Sequence, residues 1–337
     1  MRCRGARELK SRKRERSRPP PALPRPRSGF DAVARGFARE AAVRQGVYQA
    51  GGQPTLYDPV FTAQTVPEAV LRHEEVHQNL GRQTSHGVLT LILARFSEVV
   101  DAPLSRAACS DTQWYVQELG ATYAELALIQ RAAPEDFSAS IQALPSAAKD
   151  GDPYREAFDF ANWLLPLDDD ARREPSDPRT LVIGALCSCS MSTGCLRELG
   201  SREFDDGRFA AWIAANSPDM RLEQIARAAG PAAFLGFAKV AAQRLGGVRP
   251  TQDLACSLFD ELSRQMLAYV PGLDAESLSA LDAQAHAAVE RLRQSHPEFT
   301  FDVDASLHSR GPLFTESPDK RKLIEQQFDF NDLATGN

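Results

Sequence analysis

A chain of 337 residues with 43% hydrophobic and 25% charged residues has the composition of a globular protein able to bury a sizeable core. Its formal charge of −6 singles out no polyanionic partner, and its six cysteines do not make a disulfide scaffold at this length. No run approaches the ~18 apolar residues of a membrane span, so the expectation is a cytoplasmic protein without a membrane partner.

The charge is unevenly spread. Residues 1–27 carry eleven Lys or Arg against Glu8 and Glu15, and they include Pro19-Pro20-Pro21. With almost nothing to bury, residues 1–28 read as a disordered basic and Pro-rich extension. No apolar core of a secretory signal is present. Nucleic acid is given no role except through these residues. A solvated extension, or an upstream start codon in a GC-rich bacterial genome, accounts for them more simply.

Residues 29–167 are expected to form the first folded region. A helix is expected over 30–48, followed by loop or short strand from Tyr48 to Pro59, broken by Gly51, Gly52, Pro54 and Pro59. From Thr65 to Gln130 the pattern suggests three helices. The first has Thr65 and Glu68 spaced as a capping box, Pro67 in the first turn and Gly81 as a left-handed stop. At 3.6 residues per turn, Val66, Ala69, Val70, Val76 and Leu80 form an apolar stripe that also contains His73 and His77. Arg72, Glu75, Gln78 and Asn79 face elsewhere, and Glu74 sits on the flank. Two imidazoles one turn apart on a buried face can share one metal ion, and Glu74 is then placed as a general base.

A third ligand is expected from a helix over 111–130. It is apolar nearly all round, which indicates burial, yet it carries Glu118, Thr122 and Glu125 at i, i+4 and i+7. Buried acids need a partner, and a metal ion is one. The pattern leaves open whether Glu118 or Glu125 is the ligand.

These residues carry a resemblance. His73-Glu74-Glu75-Val76-His77, followed by Glu118-Leu119-Gly120-Ala121-Thr122-Tyr123, resembles the Glu-zincin metallopeptidases over residues 57–130. The stretch from Leu80 to Phe96 is similar to uncharacterised bacterial proteins of that type. The resemblance implies a zincin-like helical core, Zn²⁺ held by His73, His77 and Glu118, Glu74 as general base and a peptide or protein substrate. It also directs attention to Tyr123, Thr122, Glu125 and His86 as residues that orient a ligand or stabilise an oxyanion. The chain departs from the pattern at Thr122, where members of the family often carry an acid, and Leu80 and Gln83 exclude the longer metzincin signature.

Two other readings stand beside this one. The same two histidines and one carboxylate describe the facial triad of a non-haem Fe²⁺ oxygenase acting on a peptide, for which Arg82 or Arg95 would have to bind an oxoacid. A non-catalytic helical interaction protein is the third, though bare ligation does not require Glu74.

Residues 131–153 are expected to be a connection, with a helix over 154–165. Residues 168–178, acidic with two prolines, mark a linker. The region 179–300 reads as helical, with segments over 207–215, 219–228, 231–244, 252–269 and 274–294; only Thr180-Leu181-Val182-Ile183 looks like a strand. Cys187, Cys189 and Cys195 match no zinc module and read as small buried side chains. Residues 301–337 read as a partly ordered tail. The fold class expected is mainly α, with a small β element at most.

Overall fold

The computed structural model describes residues 46–47, 55–56, 67–95, 102–146, 153–167, 178–195, 205–246 and 252–270, with isolated helical positions at 280, 287 and 294. Residues 1–45, the expected linker over 168–178 apart from Pro178, and the expected tail over 301–337 lie outside the described residues, as does nearly all of 274–294. The described part is mainly α. Gly46–Val47 (β1) pairs antiparallel with Thr55–Leu56 (β2), so the expected helix over 30–48 does not extend through 46–47.

Ten helices follow among the described residues: α1 Pro67–Gln83, α2 Ser85–Arg95, α3 Pro103–Asp111, α4 Trp114–Ala132, α5 Phe137–Ala143, α6 Tyr154–Leu164, α7 Pro178–Met191, α8 Asp206–Ala215, α9 Pro218–Leu245 and α10 Gln252–Leu267. Helix α4 is central and packs against α1, α6 and α7. The apolar circumference read from its sequence is buried: Val116, Leu119, Ala121 and Tyr123 are all inaccessible. One apolar cluster runs from Leu119 and Tyr123 through Phe158 and Ile183 to Leu222, Phe234 and Leu258. It thus draws on helices from both sides of residues 168–177.

Several expectations are corrected. Helix α1 does not stop at Gly81. It runs to Gln83, and neither Gly81 nor Gly87 is among the described glycines with positive φ. A Cβ at Gly87 would stand 2.7 Å from Gly81 Cα, so these glycines let α1 and α2 approach closely. The break comes at Thr84, whose hydroxyl donates to Leu80 O (2.6 Å) and accepts from Gly87 N (3.1 Å). Thr65 and the Glu68 side chain lie outside the described residues. The span from 65 to 130 holds four helices rather than three, because α3 precedes α4. The connection over 131–153 contains the short helix α5. Thr180-Leu181-Val182-Ile183 is the second turn of a helix: Pro178 opens α7, and burial of Val182, Ile183, Ala185 and Leu186 overrides β-branched preference.

The breaks expected near 229–230 and after 244 are both present. Gly230 (φ 70°, ψ 166°) kinks α9 ahead of Pro231, and Gly246 (φ 60°) caps its C-terminus in the left-handed region. Contrary to the expectation that no stretch could cross a membrane, Asp206–Leu245 is long and apolar enough by composition. The stretch is divided, however. Helix α8 ends at Ala215 with Asn216 as its cap, Ser217 caps α9, and Ile225, Phe234 and Ala241 enter the core.

Candidate metal centre

Helices α1 and α4 run antiparallel, since His73 meets Glu125 while His77 meets Gln117. Their closeness depends on a glycine. A Cβ at Gly120 would stand 3.3 Å from Val76 Cγ1 and 3.0 Å from Cys187 Sγ. The N-terminus of α4 is held from a distance. Asp219 Oδ1 accepts from Val116 N (2.9 Å), while Ser217 Oγ and Asp219 N both donate to Thr112 O (3.0 and 3.1 Å). The first turn of α9 therefore fixes the register at which α4 presents its acids.

The helical spacing brings the donor atoms of three side chains together. His73 Nε2 lies 3.1 Å from His77 Nε2 and 3.4 Å from Glu118 Oε2, and His77 Nε2 lies 3.6 Å from Glu118 Oε1. Donors at zinc-like distances of ~2.0–2.2 Å in a tetrahedron are separated by about 3.3 Å. Among the described residues, His73, His77 and Glu118 are the group of His, Cys, Asp or Glu side chains that can hold a metal ion. Glu118 Oε2 is buried without a hydrogen-bond partner, as a ligand oxygen awaiting a cation would be.

Both imidazoles are held from behind. His73 Nδ1 donates to Glu125 Oε2 (2.9 Å), and His77 Nδ1 donates to Gln117 Oε1 (2.9 Å). An oxygen acceptor places the proton on Nδ1 and leaves Nε2 with its lone pair. The two Nε2 atoms then face each other at 3.1 Å, an arrangement that repels unless a cation, either a proton or a metal ion, lies between them. Glu125 is thus placed behind His73 and Glu118 in front of it.

The electrostatics follow from these contacts. Burial works against a charge on His73, but the Glu118 and Glu125 carboxylates more than offset it and hold the imidazole well above its ordinary value. Burial would raise Glu118, yet His77 and His73 draw it below the usual carboxylate range. Glu74 is itself buried rather than merely flanking. Burial raises its carboxyl, only partly countered by His73 and His77.

Of the other residues singled out in the sequence, Thr122 is buried with Oγ1 unpartnered. Tyr123 is wholly buried, and its hydroxyl donates to Leu165 O (2.8 Å), so an oxyanion role is not open to it. His86 is buried on α2, with Nε2 3.5 Å from Cys109 O; burial pushes it down to about 4, and it belongs to a different part of the core. The Arg82 and Arg95 side chains lie outside the described residues. Two neighbours of the site were missed. Gln117 shares a face with Glu118 but is uncharged, and nothing marks it before α1 is docked. Tyr154, at the start of α6, packs 6.4 Å from the His73 ring and edge-on to Trp114 at 5.3 Å; its sequence position gives no hint of this.

Comparison with known proteins supplies no relative from which to transfer a role: no family model matches the chain, and no curated protein or solved structure matches it.

Proposed function

We propose that the protein is a zinc-dependent metallohydrolase that cleaves a peptide bond, with His73, His77 and Glu118 as ligands and Glu74 as general base. The observation that carries this reading is the convergence of His73 Nε2, His77 Nε2 and the Glu118 carboxylate, with 3.1 Å between the imidazoles, 3.4 Å from His73 to Oε2 and 3.6 Å from His77 to Oε1, and with Oε2 buried and without a hydrogen-bond partner. Glu74 supports the hydrolytic part of the proposal. A buried carboxyl beside the triad, not needed for ligation, requires another explanation, and a base is one.

Zinc bound there supplies a Lewis acid that polarises the scissile carbonyl and makes water acidic enough to lose a proton near neutrality. The chain's own residues do the rest. Glu74 takes a proton from water as its oxygen bonds to the carbonyl carbon. As the C–N bond breaks, Glu74 returns that proton to the leaving amine. The raised affinity of Glu74 for protons suits both halves of this exchange. Glu125 and Gln117 keep each imidazole turned so that Nε2, not N–H, faces the ion.

The test is Glu74→Gln in the full chain, with elemental analysis alongside hydrolysis of a mixed peptide library. The expected variant holds metal as wild type does and loses roughly 10²–10⁴-fold in rate. Hydrolysis at the wild-type rate would remove Glu74 from the base role. Iron in place of zinc in the wild-type protein would favour the oxygenase. Stoichiometric zinc with no hydrolysis of any peptide would leave a binding protein.

A further inference from the structure

We infer that Gln117 is the positioning residue for His77, and that the Gln117 amide is itself oriented by Gln113. This inference rests on the metal-site reading above. It extends that reading to two uncharged side chains that no ligand motif would select.

The two histidines are backed by side chains of different kinds. His73 is backed by a carboxylate, Glu125, which can only accept a hydrogen bond when ionised. His77 is backed by an amide, whose two ends have opposite roles. With Oε1 toward His77 Nδ1, the proton stays on Nδ1 and Nε2 is free to ligate. With the amide turned over, an N–H would face Nδ1. The imidazole would then carry its proton on Nε2, where the ion must bind. A glutamine in this place therefore works only if something decides which way it points.

Gln113 makes that decision. It lies one turn earlier on the same face, immediately before α4, and is buried. Its Oε1 accepts from Gln117 Nε2 (3.4 Å), which turns Gln117 Oε1 toward the histidine. Thr90 Oγ1 of α2, whose proton goes to His86 O (2.9 Å), stands 3.5 Å from the same Gln113 oxygen. The chain Gln113–Gln117–His77 thus converts the burial of one amide into the tautomer of a ligand.

The experiment measures zinc affinity of the full-length protein by competition with a chromophoric chelator, together with ring ¹⁵N resonances of His77 in the metal-free state. Gln117→Met should weaken zinc binding by roughly 10–100-fold. Gln117→Glu, which keeps an acceptor that cannot turn over, should bind at least as tightly as wild type. Gln113→Met leaves the direct contact in place and should fall between, with His77 sampling both tautomers. It also keeps the inference testable if Gln117→Met does not fold. Wild-type affinity and an unchanged His77 tautomer in both methionine variants would overturn the assignment. So would a Gln117→Glu variant as weak as Gln117→Met. A wild-type protein that binds no zinc would instead overturn the metal reading itself.

Discussion

Two groups of potential metal ligands lie on helices packed against α4, and among the described residues only one of them converges. In one, His73 and His77 stand at i and i+4 of α1, and Glu118 faces them across the helix pair. In the other, Cys187 and Cys189 stand at i and i+2 of α7, which sends their side chains to different faces. Cys187 packs against Gly120, while Cys189 donates to Ser263 O (3.1 Å). Cys195 is buried beyond the end of α7. Burial, with Cys189 and Asp219 nearby, pushes the Cys187 thiol up, and burial takes Cys189 up to about 12, so neither is ready to ligate or react. Ligand-type residues do not make a site by proximity in sequence. They need the helical period to aim them at one point and a facing element to close it.

The largest effect that would break this comparison is loss of metal. His73→Ala and Glu118→Ala should reduce zinc from near one equivalent to background in elemental analysis. Cys187→Ser and Cys189→Ser should leave it unchanged. Glu125→Ala should retain the ion with an affinity roughly 10–100-fold lower, as expected for a residue behind a ligand. If Glu125→Ala loses the metal and Glu118→Ala keeps it, the roles of the two acids are reversed.

A smaller effect concerns Asp219, which anchors the N-terminus of α4 and thereby both faces. Burial pushes its carboxyl up to about 8, and the N–H groups of Val116 and Tyr115 only partly offset this. The unfolded value is about 3.9. The folded state therefore holds a proton that the unfolded chain has released between these two values. The resulting stability is fully present below pH ~3.9 and is lost as pH rises through ~8, by at most about 1.4 kcal/mol per pH unit. Asp219→Asn should abolish that dependence while keeping an acceptor for Val116. Urea melts of both proteins across this range would show it, and parallel curves would refute the buried protonated acid.

The smallest effect sharpens the geometry. Gly120→Ala places a Cβ 3.0 Å from Cys187 Sγ and 3.3 Å from Val76 Cγ1, and should cost about 1–3 kcal/mol in thermal or denaturant unfolding. Cys187→Ala in the same chain should recover part of the loss. A cost that Cys187→Ala does not change would place the strain on the α1 side instead.

Much of the fold was legible because helical period and burial are local signals. The circumference of α4, the placement of α6 and the interruption of α9 near Gly230 could all be read from residue spacing. Gly81 misled because a glycine near a helix end has two uses, a left-handed stop or a close approach, and only Gly87 on α2 distinguishes them. The β-branched run at 180–183 misled because its preference for strand is weaker than the burial that α7 gains in the core.

By itself the sequence determined that His73 and His77 share a helix face with Glu74 on its flank, and that two acids recur on a second buried helix. Both follow from the 3.6-residue period and the scarcity of unpaired buried charge. The antiparallel docking of α1 on α4 decided the remainder. It set Glu118 before the imidazoles and Glu125 behind one of them, recruited the uncharged Gln117 behind the other, and left Tyr123 facing the core. Those assignments depend on the relative register of two helices some forty residues apart in the chain. That register is fixed by Gly120, Val76 and the reach of Asp219 from α9, which no local pattern encodes.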